Sequence, residues 1–121
     1  MAGPAGAVDV APLWDFGRPE ESERRFRQAL ESASGDDALI LRTQIARTYG
    51  LRRDFDRARA ELDAIAPQVP AAGAEVQVRY ALERGRSLAS ATHPAESQTA
   101  ESREIARRHF EEAWRLARKA S

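Results

Sequence analysis

The chain has 121 residues, with 19 basic and 19 acidic side chains and no cysteine. One domain of this length buries roughly two-thirds of its unfolded surface. Zero net charge argues against a dedicated nucleic-acid or anionic-membrane binder, and the missing cysteines exclude disulfides, thiolate catalysis and cysteine-ligated zinc.

Met1 to Ala7 carry no positive n-region and no long apolar run. Neither a signal peptide nor a transmembrane helix is expected, and the expected compartment is the cytoplasm. Asparagine is absent and all basic residues but Lys119 are arginine, a composition associated with GC-rich bacterial genomes. Residues 1–12, rich in Gly, Ala and Pro, read as a flexible segment. Pro12 opens a turn that delivers Leu13, Trp14 and Phe16 onto a first helix, with Trp14 covering its end.

That helix starts at Pro19, whose missing N–H suits a first turn, and Glu20, Glu21 and Glu23 complement the dipole there. It runs to about Ala33 and stops at Ser34-Gly35. Asp36 or Asp37 caps a second helix to about Leu51, and Asp54 caps a third to about Ala66. Pro67 to Gly73 reads as a linker. A fourth helix over 74–91 carries the stripe Val78, Ala81, Leu82, Gly85, Leu88, Ala89. Thr92-His93-Pro94 ends it, and Ala95 to Glu101 is polar without apolar period. A last helix over 99–119 finishes in Arg115, Arg118 and Lys119, the right charge for a C-terminus. No useful length alternates with period two, so no sheet is expected.

One apolar pattern recurs three times along these helices. Ser22-x3-Phe26-x2-Ala29 returns as Ala58-x3-Leu62-x2-Ile65 and as Ala106-x3-Phe110-x2-Ala113. The spacing sets a small residue and two apolar ones on one helix face. A repeat of this length containing a helix signals stacked helix pairs. Ala46, Ala58, Ala106 and Gly85 stand where helices must approach closely, and Ala58→Leu is expected to cost about 1–3 kcal/mol by overpacking.

Residues 39–67 resemble a tetratricopeptide repeat (TPR), a helix–turn–helix unit patterned W-x2-L-G-x2-Y…A-x3-F…P. Ile45-Ala46-x2-Tyr49 stands for L-G-x2-Y, Ala58-x3-Leu62 for A-x3-F, and Pro67 closes the unit; Arg42 occupies the tryptophan position. The resemblance implies an all-α fold, antiparallel helix pairs stacked as a short right-handed solenoid of about five main helices. It divides residues 13–121 into a partial unit 13–35, a unit 36–70 and a unit 71–121 with an inter-helix insertion near 92–101.

The family's first helices line a concave groove that holds a peptide or a partner's helix. Carried onto this chain, that role falls on Ile40, Thr43, Arg47 and Leu51, and on Arg79, Leu82, Glu83 and Arg86. Arg47, Arg79 and Arg86 would suit an acidic partner, since guanidinium grips carboxylate in a bidentate fork. The same arginines could instead be solvated or paired with Glu75 or Glu83. The lysines and asparagines of the family's chaperone-tail clamp are missing; Thr43 and Arg47 stand in their places.

Chemistry has little support. His93 precedes a proline at a helix end, and His109 is expected on a solvated flank with Glu112 three residues on. No H-E-x-x-H, glycine-rich phosphate loop or nucleophile elbow occurs. The expected role is a non-catalytic protein-interaction module with no metal and no cofactor. Trp114 and Leu116 make the last helix look unfinished. That suits a homodimer through this helix or a further unit of a longer repeat protein, and a peptide-effector sensor is the third reading.

Overall fold

The computed structural model describes residues 8–89 and 99–120, and among them every regular element is helical. Five α-helices follow in order: α1 (Pro19–Leu30), α2 (Gly35–Leu51), α3 (Phe55–Ile65), α4 (Ala74–Ala89) and α5 (Ala100–Ala120). Short 3-10 helices cover Ala11–Leu13 and Ala66–Ala71. The expected linker after α3 is therefore the second of these, and it buries Val69.

Residues 8–12, expected to be flexible, are instead built into the fold. Val10 joins the hydrophobic core, and the Val8 amide donates to Asp37 Oδ1 at 3.3 Å. Trp14 donates from its indole N–H to Gln44 Oε1 at 2.9 Å, stacks on Phe16 and meets Phe26 edge-on. Ser22, the small residue opening the first copy of the repeat, is buried and bonds both the amide and the carbonyl of Asp15. The entry segment is thus stapled to α1 and α2. Residues 1–7, His93 and most of the expected insertion lie outside the described residues.

Helix ends follow local chemistry where the side chain is free to cap. Asp54 accepts from the Arg57 amide and starts α3 as expected. The N-cap of α2 is Ser34, not Asp36 or Asp37. Those two carboxylates sit in the first turn, where the dipole favours them, and reach outward. Asp37 takes the Val8 amide, and Asp36 takes the Gly73 amide at 2.9 Å. They pin the strands of chain that pass the start of α2, so they are not available as caps.

Helix α2 is central. It packs against α1, α3 and α4, and it buries Leu39, Ile40, Leu41, Thr43, Gln44, Ile45, Ala46 and Thr48. Its two buried threonines satisfy their hydroxyls on the Ile40 and Ile45 carbonyls, the usual recourse of a threonine inside a helix. The core gathers Phe26, Leu39, Ile40, Leu41, Ile45, Ile65 and Val76, and each large side chain hidden there contributes about 1.5–3 kcal/mol. On the rim, Glu23 of α1 accepts from Arg27, Arg52 and Tyr49, while Glu61 of α3 accepts from Arg27 and Arg42. Arg42 therefore ties α2 to α3 through charge.

Helix α5 packs principally on α4. Ala81 and Gly85 on α4 and Ala106 and Ala113 on α5 are all buried, and Gly85 lies directly against the Phe110 ring of α5. Two copies of the apolar repeat put their large residue fully in the interior, at Phe26 and Leu62. The third does not: Phe110 is 36% exposed.

Candidate functional site

A cleft of about 230 Å³ opens where α2, α3 and α4 meet, lined by Ala46, Arg47, Gly50, Leu51, Phe55, Ala58, Glu83, Arg86 and Ser87. One wall is apolar, from Leu51, Phe55 and the two alanines. The other carries charge.

Glu83 is the unusual member, an ionisable carboxyl on a residue that is only 5% exposed. Arg86, one turn on, bonds it at 2.5 Å. Burial pushes the Glu83 carboxyl up, and the guanidinium groups of Arg86, Arg47 and Arg79 pull it back down. Arg47 feels the converse. Burial lowers its pKa, Arg86 and Arg79 repel its charge, and Glu83 partly compensates. Arg47 lies over the Trp14 and Phe16 rings at 5.4 and 5.1 Å from their centroids, a position that cation–π attraction favours. On the α3 side, Arg59 donates to the Ser87 carbonyl at 2.8 Å and ties the two walls together.

Of the eight groove residues inferred from the TPR resemblance, Glu83 is the buried carboxyl just described, and the other seven divide. Arg47, Leu51 and Arg86 line the cleft. Arg79 lies within electrostatic reach of Arg47 and Glu83 and pairs with Glu75 at 2.9 Å. Leu82 is half-buried on α4 outside the lining. Ile40 and Thr43 require correction: both are fully buried and offer nothing to a partner. The first half of α2 is enclosed by its neighbours and by the entry segment, so its stripe surfaces only from Arg47 onward. Sequence reasoning missed Phe55 and the aromatic support under Arg47. Phe16 and Arg47 are distant in the chain, and no local pattern joins them.

A second apolar surface lies on α5. Trp114 is 68% exposed, and it borders a shallow groove with Arg103, Ala106, Arg107, Phe110 and Glu111. Leu116 lies elsewhere. It is half-buried in a separate groove with Val69, Pro70, Tyr80 and His109, so the two residues expected to share one interface occupy different faces. Two positions on a helix differ by about 200°, which forces this split. His109, expected on a solvated flank, is also half-buried, and burial and then Arg84 lower its pKa.

No group of metal-ligating side chains is present among the described residues, and none of the described helices is long and apolar enough to cross a membrane. No family model, no curated protein and no solved structure matches the chain.

Proposed function

We propose that this chain is a TPR-like, non-catalytic protein-interaction module that takes an acidic peptide or partner helix at the cleft between α2, α3 and α4. One observation carries the reading. Arg47, Arg79 and Arg86 converge on a single buried carboxylate, Glu83, beside an apolar wall. Even with Glu75 set against Arg79, one positive charge is left over at the cleft. An anionic segment supplies its complement, and Leu51 and Phe55 add apolar contact. The order of short helices and the match of residues 39–67 to the repeat pattern support the TPR-like assignment.

The test is titration with a glutamate-rich peptide at two salt concentrations, comparing Arg47→Ala, Arg79→Ala and Arg86→Ala with the parent. Binding should weaken as salt rises, since exposed attractions are screened over about 8–10 Å. Three variants that bind like the parent would remove the cleft from consideration.

A second reading is self-assembly through α5, favoured by the exposed Trp114 and Phe110 on a helix whose packing is mainly to α4. Mass that grows with protein concentration, in the absence of any other component, separates it from the first.

A further inference from the structure

The cleft is small for an extended segment. Sites for drug-sized ligands run to roughly 300–1,000 Å³, and this one encloses about 230 Å³. Its charge is equally restricted. Arg86 is committed to Glu83, and Arg79 to Glu75. Arg47 forms no ion pair with a described residue; its charge rests on the faces of Trp14 and Phe16. The balance around the cleft is therefore one uncompensated guanidinium, already partly out of water.

Glu83 sets the limit in the other direction. It is enclosed within the same lining, so it faces whatever enters. A first carboxylate settling beside Arg47 and Arg86 relieves the repulsion between those two arginines. A second negative charge finds no spare cation and meets Glu83. The apolar wall of Leu51, Phe55, Ala46 and Ala58 offers area to a hydrocarbon group and nothing to a polar one.

We infer that the cleft is a binding site for a single carboxylate carried on a compact apolar group. Arg47 and Arg86 hold the carboxylate, Leu51 and Phe55 hold the apolar body, and Glu83 rejects a second negative charge. The inference rests on the cleft proposed above as the interaction site and narrows what the cleft accepts. The carboxylate comes from a free small acid or from a side chain of a peptide; the chemistry recognised is the same.

Calorimetric titration of the full chain tests this with four probes: isocaproate, its uncharged amide, the dicarboxylate glutarate and a capped glutamate-rich peptide. Isocaproate should bind, with its amide weaker by about tenfold or more, since charge-assisted bonds to guanidinium are lost. Glutarate should bind the parent more weakly than isocaproate does, and Glu83→Gln should reverse that order. Arg47→Gln should weaken isocaproate by about tenfold while leaving the melting temperature close to the parent's. An amide that binds as well as the acid overturns the inference, and so do Arg47→Gln and Arg86→Gln variants that bind isocaproate like the parent. If only the glutamate-rich peptide binds, the single-carboxylate site is wrong and the acidic-segment reading stands. If no probe binds, both fall.

Discussion

The ring of Phe110 lies against the Cα of Gly85, so close that a Cβ added to Gly85 would stand 2.6 Å from Phe110 Cε1. Neither position is free without the other. Glycine inside a helix costs about 1 kcal/mol relative to alanine, and here it makes room for the aromatic ring of the neighbouring helix. Gly85→Ala in the parent gains that propensity but collides with the ring, an overpacking cost of about 1–3 kcal/mol. The net effect should be destabilising. In a Phe110→Ala background the collision is gone, and the same substitution should stabilise by about 1 kcal/mol. Chemical denaturation of the four proteins in the cycle measures this change of sign; a Gly85→Ala effect equal in both backgrounds would refute the coupling.

The end of α2 stores a small strain. Arg53 has φ of 62°, the left-handed region, and the Asp54 amide bonds the Tyr49 carbonyl while the Arg53 amide bonds that of Gly50. This pair of bonds is the Schellman arrangement, in which the left-handed residue is usually glycine. Arg53 is exposed, and no contact of its side chain accounts for its presence. Arg53→Gly removes the Cβ penalty of about 1–2 kcal/mol and gives back part of it as extra freedom in the unfolded chain. A net gain of up to about 1 kcal/mol in thermal or denaturant unfolding is expected. A loss would mean that the arginine side chain contributes something besides its backbone.

These positions separate what sequence could reveal from what it could not. Pro19 and Asp54 act on their own helices, so those starts were legible. Asp36 and Asp37 carry the same local signal, but Gly73 and Val8 claim their carboxylates, and caps read from local spacing cannot anticipate distant claimants. At the cleft, Arg47, Leu51 and Arg86 lie on the stripes that the resemblance selected, and they line one volume. Ile40 and Thr43 on that stripe did not surface, because exposure depends on which neighbours enclose a helix. The repeat itself predicted burial well at Phe26 and Leu62. It missed at Phe110, whose helix has packing mainly on one side.

Ala58 revises an expectation of its own. Its side chain is buried, yet it borders the open volume of the cleft. The carbons added in Ala58→Leu therefore have space to enter, and the cost should fall below the roughly 1–3 kcal/mol of overpacking in a filled core. The same side chain occupies ligand space. The expected outcome is a melting temperature near the parent's together with loss of isocaproate binding. A variant that is strongly destabilised would show that the cleft wall cannot give.

Glu83 should leave its mark on pH dependence. Burial raises its carboxyl from the ordinary 4.5, against Arg86, Arg47 and Arg79. The folded chain thus holds this proton more tightly than the unfolded one. Its contribution to stability is full below about pH 4.5 and is lost as pH rises through the folded value. Glu83→Gln cannot titrate. The stability of the variant minus that of the parent should therefore grow with pH over a window that opens near 4.5 and extends above it. Carboxylates elsewhere cancel in this difference. Denaturant midpoints taken across the window test it, and a flat difference would show that Glu83 titrates alike in both states.

Trp114 and Leu116 should respond differently because they sit on different faces of α5. Trp114 is mostly exposed, so Trp114→Ala should change the stability of the dilute chain by no more than about 0.5 kcal/mol, as for a surface site. Leu116 is half-buried in the groove with Val69, Pro70 and Tyr80. Leu116→Glu brings a charge into that groove and should cost about 1–3 kcal/mol. Sedimentation velocity over a wide concentration range adds the second readout. If α5 mediates self-association through the Trp114 and Phe110 face, Trp114→Ala should weaken the dimer while leaving the fold intact. Leu116→Glu should weaken the fold whether or not a dimer forms. A parent that sediments as a monomer at every concentration, with Trp114→Ala indistinguishable from it, would leave the exposed ring without a role in self-assembly and strengthen the case for the cleft.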